Sequence, residues 1–211
     1  MKLINTLLTI LFISLLSSPS WSETYDDLVE REGLYYYKQF TDVLFTGKLT
    51  GGDQESFKNG KKEGIWVVGY YDNGQVMIKG NFKNGKHQGA WVEYHKNGKL
   101  KSKSNYKNGK EEGASVYYWD NGELQSKGNY KNGKKEGAWV ESHNGHLKDK
   151  GNYENGKREG AWIGYWDNGQ LWQKGIFKNG LKEGAWVYYW DNGIVYKTWT
   201  GIYKNGYKIS D

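Results

Sequence analysis

No cysteine occurs among the 211 residues. That absence excludes disulfide staples, thiolate metal sites and a lipid-modified N-terminal cysteine. Beyond residue 22 no apolar run approaches the roughly twenty residues that a membrane-spanning helix needs. Catalytic constellations are equally scarce. Of the histidines His87, His95, His143 and His146, only the last two stand close together, flanking Asn144-Gly145 without a carboxylate cluster. They are expected to be solvated turn residues rather than metal ligands. No serine or threonine has a histidine at a suggestive spacing, and Glu63, Glu112, Glu136, Glu159 and Glu183 recur beside glycines along one edge instead of facing each other across a cleft. Neither an enzyme nor a cofactor is expected.

What the chain has in abundance is repetition. Lys-Asn-Gly begins at Lys58, Lys83, Lys107, Lys131, Lys178 and Lys204, with Glu154 in place of lysine once, and the steps are 25, 24, 24, 23, 24 and 26 residues. A second Asn-Gly falls midway, at Asn73, Asn97, Asn121, Asn144, Asn168 and Asn192. Such a period marks a repeat architecture. Asn-Gly between alternating apolar runs signals a two-residue type I′ hairpin, because both residues tolerate positive φ. Each unit therefore reads as a hairpin: strand 161–166, turn 167–169, strand 170–177.

Alternation puts Ala161, Ile163 and Tyr165 on one face of the first strand and Trp162, Gly164 and Trp166 on the other. The Ala/Val/Tyr face is expected to be structural. The tryptophan face, with Trp172 and Lys174 added from the second strand, either lies open as a binding ladder or packs on neighbouring repeats. The mid-strand glycine, as in Gly128 and Gly151, is expected to leave room for a ring to lie flat on the backbone. Trp66 to Asn73 is one residue longer than usual, predicting a bulge near Gly69, and Trp139 to Asn144 is one shorter. Ser115 replaces a tryptophan.

The phrase G-N-Y-K-N-G-K-x-x-G-x-W-x-x-Y-x-x-N-G-x-L resembles the MORN repeat (membrane occupation and recognition nexus), and more narrowly the bacterial variant of the YwqK-type antitoxin-like family. The likeness spans about residues 33–206 in seven tandem copies. It implies an all-β, elongated, single-layer antiparallel sheet of tandem hairpins, solenoid-like and without catalysis. It also implies roles in membrane association, scaffolding, dimerisation or toxin neutralisation. Some fifteen strands at about 4.8 Å would make the sheet on the order of 70 Å long.

Residues 1–22, with Lys2 as the only charge, an apolar run at 7–16 and Ser20-Trp21-Ser22 at its end, read as a secretory signal peptide. Residues 23–57 are then an N-terminal cap with degenerate strands, 58–206 the repeats and 207–211 a tail. Within the cap, the acidic stretch 23–32 forms a short helix, or Arg31-Glu32-Gly33 turns 28–30 back onto 34–37. The expectation is an exported protein, periplasmic or extracellular.

Residues 34–211 carry 28 basic and 19 acidic side chains, net +9. Lys58, Lys83, Lys107, Lys131 and Lys178 are expected along one basic edge, suited to an anionic surface or to solubility. Trp91, Tyr117, Trp119, Trp162, Trp166, Trp172, Trp186, Tyr188 and Trp190 form the candidate binding face. The expected partner is another protein, antitoxin-fashion a toxin; the alternative is an envelope surface of anionic lipid or glycan. Nucleic acid is not expected, since export argues against it and the lysines are spread rather than clustered. Pairing of the sheet ends between molecules stays open.

Overall fold

A computed structural model describes residues 23–40, 42–49 and 55–211. The expected signal peptide lies outside the described residues. A 3-10 turn, Tyr25–Asp27, leads into strands β1 (Leu28–Arg31) and β2 (Leu34–Tyr37), which pair antiparallel as a small separate sheet. Of the two readings left open for this segment, the hairpin is the one that forms.

The remaining strands are β3 (Gly47–Lys48), β4 (Ser56–Lys58), β5 (Lys61–Val67), β6 (Ile78–Lys83), β7 (Lys86–Tyr94), β8 (Leu100–Lys107), β9 (Lys110–Glu111) and β10 (Gly113–Tyr118). They continue as β11 (Leu124–Lys131), β12 (Lys134–His143), β13 (His146–Glu154), β14 (Lys157–Tyr165), β15 (Leu171–Lys178), β16 (Leu181–Tyr188), β17 (Gly201–Lys204) and β18 (Tyr207–Ser210). All belong to one 16-stranded antiparallel sheet in which spatial order follows chain order, with β9 pairing only with β8. Residues 207–210, expected as a tail, supply its last strand.

The two families of Asn-Gly turn differ. At Lys-Asn-Gly both central residues have positive φ, for example Asn179 at 52° and Gly180 at 86°, as a type I′ turn requires. At Asp-Asn-Gly only the glycine does: Gly169 has φ 80°, its N–H donates to the Trp166 carbonyl, and the Trp166 N–H donates to Gln170. That is a three-residue loop closed by a left-handed glycine. The uniform type I′ expectation is therefore corrected for five of the six midway turns; Asn144-Gly145 alone, in the short unit, takes positive φ at both residues. The longer unit absorbs its extra residue at Gly69, φ 97°, where β5 has ended and pairing resumes as a lone Tyr70–Val76 bridge.

The expectation of a structural Ala/Val/Tyr face is corrected, and of the two readings of the tryptophan face the packed one holds for the first-strand indoles. Ala90, Ala114, Ala138, Ala161 and Ala185 are exposed, whereas Trp66, Trp91, Trp139, Trp162 and Trp186 are buried. The cause is a bulge. In β14, Gly160 at φ 70° makes the register jump from Asn152↔Glu159 to Lys150↔Ile163, which swings Trp162 across Gly151 of the preceding strand. A Cβ on Gly80, Gly128, Gly151 or Gly175 would fall inside the ring of Trp91, Trp139, Trp162 or Trp186 respectively, so the glycine there is required for close approach. Each indole N–H donates to a backbone carbonyl ten residues earlier, as Trp162 does to Asn152 at 3.0 Å. Register also places Trp162 opposite Gly175 and Ile163 opposite Lys174, so Lys174 lies on the outer face and not with the tryptophans.

These rings form an edge-to-face row. Phe57, Trp66, Phe82, Trp91 and Tyr106 follow one another with centroids 5.1–6.0 Å apart, and Tyr130, Trp139, Tyr153, Trp162, Phe177 and Trp186 do so at 4.9–6.1 Å. Burying roughly 150 Å² of each indole at ~25 cal/mol/Å² stabilises by about 4 kcal/mol. Most of these indoles also carry a cation on the ring from the side chain four residues earlier: Lys62 on Trp66, Lys135 on Trp139, Arg158 on Trp162 and Lys182 on Trp186, at 4.1–5.0 Å. The row breaks once, at Ser115.

Candidate groove

A groove of about 750 Å³ is walled by Trp119, Trp166, Trp172, Tyr165 and Trp199. Its polar lining is Gln125, Ser126, Glu141, Ser142, His143, Lys148 and Asp149. Three departures from the repeat open it. Gly164 stands where other units carry Glu93, Tyr117, Glu141 or Tyr188, and over it converge Asp149 Oδ1, Gln173 Cγ and Trp172 Cε3, at 2.8, 3.0 and 3.1 Å from where a Cβ would stand. The tight turn at Asn144 shortens the neighbouring hairpin. The 26-residue step at the C-terminal end gives slack for residues 197–199 to fold over, so that Trp199 packs on Tyr188 at 5.8 Å and on Tyr196 at 4.8 Å.

The wall rings are held before any ligand arrives. Trp119 Nε1 donates to the Ser142 carbonyl at 3.3 Å and Trp166 Nε1 to the Tyr189 carbonyl at 3.0 Å. Both bonds span 23 residues, as does the one joining Tyr71 to Tyr94. With the N–H groups engaged by the next unit, these walls offer flat indole faces. Trp166 and Trp172 meet at 5.9 Å, and His143 meets Trp119 edge-on at 5.6 Å.

Two carboxylates lie cross-strand, Glu141 opposite Asp149. Burial holds the Asp149 carboxyl above the usual carboxylate range; Glu141 pushes the same way while Arg158 pulls it down. Asp149 Oδ1 is buried without a hydrogen-bond partner. Lys148 is committed to Asp167 at 2.7 Å, and that contact lowers the Asp167 pKa. Lys135 lies 3.5 Å from Glu141.

Of the nine residues of the candidate binding face, Trp91, Trp162, Trp186 and Tyr188 are core and are corrected accordingly. Alternation alone does not reveal the bulge that packs them. Trp119, Trp166 and Trp172 come together in the groove. Tyr117 is half-buried and donates to Glu111 at 3.1 Å, and Trp190 is exposed and stacks on Tyr196 at 4.1 Å. Trp199, Glu141, Asp149 and the role of Gly164 were not singled out; all but Glu141, which matches Glu93, mark a departure from the unit: an extended step, an acid where Ser126 or Gln173 stands, a missing side chain.

Lys58, Lys83, Lys107, Lys131 and Lys178 are exposed at the type I′ turns. The first four face a second lysine directly across the strand pair, Lys58↔Lys61, Lys83↔Lys86, Lys107↔Lys110 and Lys131↔Lys134. The recurrent acids act structurally at this edge: Glu63, Glu112, Glu136, Glu159 and Glu183 each accept the backbone N–H of the asparagine in the following turn at 2.7–3.1 Å. Among the described residues no His/Asp/Glu cluster is arranged to hold a metal. His87 instead lies 3.8 Å from Trp91, where burial lowers its pKa.

Comparison with known families matches the MORN repeat variant at residues 67–84, 88–108, 111–132 and 158–179. No curated protein matches the chain. Residues 133–157, between two matched stretches, supply Glu141, Ser142, His143, Lys148 and Asp149, so most of the groove's polar lining comes from a stretch outside those matches.

Proposed function

We propose, from the premise that this is a MORN-repeat protein and hence built as a protein- or membrane-binding module, that it is exported and non-enzymatic and grips a segment of another protein in the tryptophan groove. The observation that carries this reading is the preset groove: indoles anchored by cross-unit hydrogen bonds, with Asp149, Gln173 and Trp172 drawn together over Gly164. Rigid aromatic walls around a desolvated floor are what concentrates binding energy at a protein interface. A toxin acting outside the cytoplasm is the partner class we favour. The test is capture of partners from a cell-envelope extract by tagged residues 23–211 under rising salt. A stoichiometric protein should survive high salt and be lost from a Trp166→Ala/Trp172→Ala variant that keeps its circular dichroism. Capture that ignores this variant would end the proposal.

A second reading rests on the facing lysine pairs. Like charges directly opposite each other cost stability, about 0.2–1 kcal/mol a pair, and four successive turns accept that cost. An anionic lipid surface would offset it. Co-sedimentation with phosphatidylglycerol vesicles should then fall steeply with salt and fall further in a Lys61→Gln/Lys86→Gln/Lys110→Gln variant; salt-indifferent sedimentation would discard this reading.

A further inference from the structure

We infer that the groove takes a cationic side chain, an arginine or lysine presented by a basic segment of the partner protein, with its charge facing Glu141 and Asp149. The inference rests on the groove being the protein-binding site and names what fills it.

The chain's own packing carries the argument. On the same sheet, Trp66, Trp139, Trp162 and Trp186 each have an internal lysine or arginine over the ring. Among the described residues, no lysine or arginine covers Trp119, Trp166, Trp172 or Trp199. The cations nearest the floor are already engaged, Lys135 between Trp139 and Glu141, Arg158 on Trp162 and Lys148 with Asp167. What remains is a set of indole faces above two carboxylates held side by side, Glu141 with Lys135 as its one cation among the described residues and Asp149 with one buried oxygen that makes no hydrogen bond. A buried acceptor without a partner calls for an explanation. A guanidinium or ammonium supplies both missing elements at once, a charge for the ring faces and N–H donors for the acids. The protein is +6 overall, so a basic ligand gains nothing from its general field. Attraction must come from this locality.

The probe is an acetylated, amidated tetra-arginine peptide. Its controls are the citrulline peptide of the same shape without charge, and maltotriose as a neutral sugar. Calorimetric titration of residues 23–211 at near-physiological salt should show binding of the arginine peptide alone. Glu141→Gln/Asp149→Asn and Trp172→Phe should each weaken it by about tenfold or more, with fold checked by circular dichroism. Glu30→Gln/Glu32→Gln, in the acidic N-terminal hairpin, should leave it unchanged. Equal binding of citrulline, indifference to the groove variants, or binding of maltotriose in place of arginine overturns the inference. If a captured partner is lost from Trp166→Ala/Trp172→Ala but retained by Glu141→Gln/Asp149→Asn, the binding-module reading stands and the cationic occupant falls.

Discussion

Four of the buried tryptophans owe their place to the residue eleven positions before them. Trp91, Trp139, Trp162 and Trp186 lie over Gly80, Gly128, Gly151 and Gly175. Where Ser115 replaces the indole, the residue eleven back is Ser104, and the position that elsewhere holds a stacked cation or His87 is Glu111. Three positions have changed together. Gly175→Ala should therefore destabilise by about 1–3 kcal/mol through overpacking, read from urea midpoints. Ser115→Trp alone should destabilise, whereas Ser104→Gly/Ser115→Trp should recover the loss, with a coupling of about 0.5–3 kcal/mol in a double-mutant cycle; additive effects would contradict the pairing. Asp149 gives a pH test. Its carboxyl has a raised pKa when folded, so the folded state holds the proton more tightly and stability falls as pH rises above the ordinary carboxylate pKa. Asp149→Asn should accordingly raise the melting temperature at pH 7, with the gain shrinking towards pH 4, even as it weakens a cationic ligand.

At the scale of the hairpin, one dipeptide performs two tasks. In Lys-Asn-Gly the asparagine supplies left-handed backbone, and its N–H and that of the glycine tie the turn to the preceding one, Asn179 donating to Glu159 and Gly180 to the Arg158 carbonyl. In Asp-Asn-Gly the asparagine supplies its side chain: Asn168 Oδ1 accepts the Gln170 N–H, and Nδ2 donates to the Asp191 carbonyl of the next unit at 2.7 Å. Asn73 and Asn97 repeat that link. Asn179→Gly should thus cost little, within about 0.5 kcal/mol, while Asn168→Gly should cost about 1 kcal/mol or more through the lost bonds; equal costs by chemical denaturation would refute the division of labour. Hairpin boundaries were legible because Asn-Gly spacing is a local signal. Turn type was not, because it depends on whether the residue before asparagine joins the strand or the loop, and Asp167 joins the loop.

Across the whole molecule, the described core divides into an N-terminal cluster from Leu28 to Trp91 and a C-terminal one from Trp162 to Tyr188. In a one-dimensional sheet stability is close to a sum over neighbours, so the break at Ser115 is the weak coupling. Hydrogen exchange should be faster in β10 than in β12 or β14, and the Ser104→Gly/Ser115→Trp variant should slow it. The sheet and its strand order followed from the period, since each hairpin can pair only with its neighbours. Which face packs did not, because Gly160 and its equivalents act through a bulge that period-2 alternation does not contain. The groove was only partly visible for a related reason: Trp119 and Trp166 recur at one place in the unit, but the glycine at 164, the acid at 149 and Trp199 are exceptions, and a consensus hides exceptions.

Because strand order is chain order throughout the long sheet, no unit is interleaved with a distant one. Recombination between two copies of the gene, slipped by one repeat, would insert or delete some 24 residues and leave other pairings in register. The number of units is therefore free to change in a lineage, whereas the groove, made from one short unit and its neighbours, would travel as a cassette whose place along the sheet shifts with each such event.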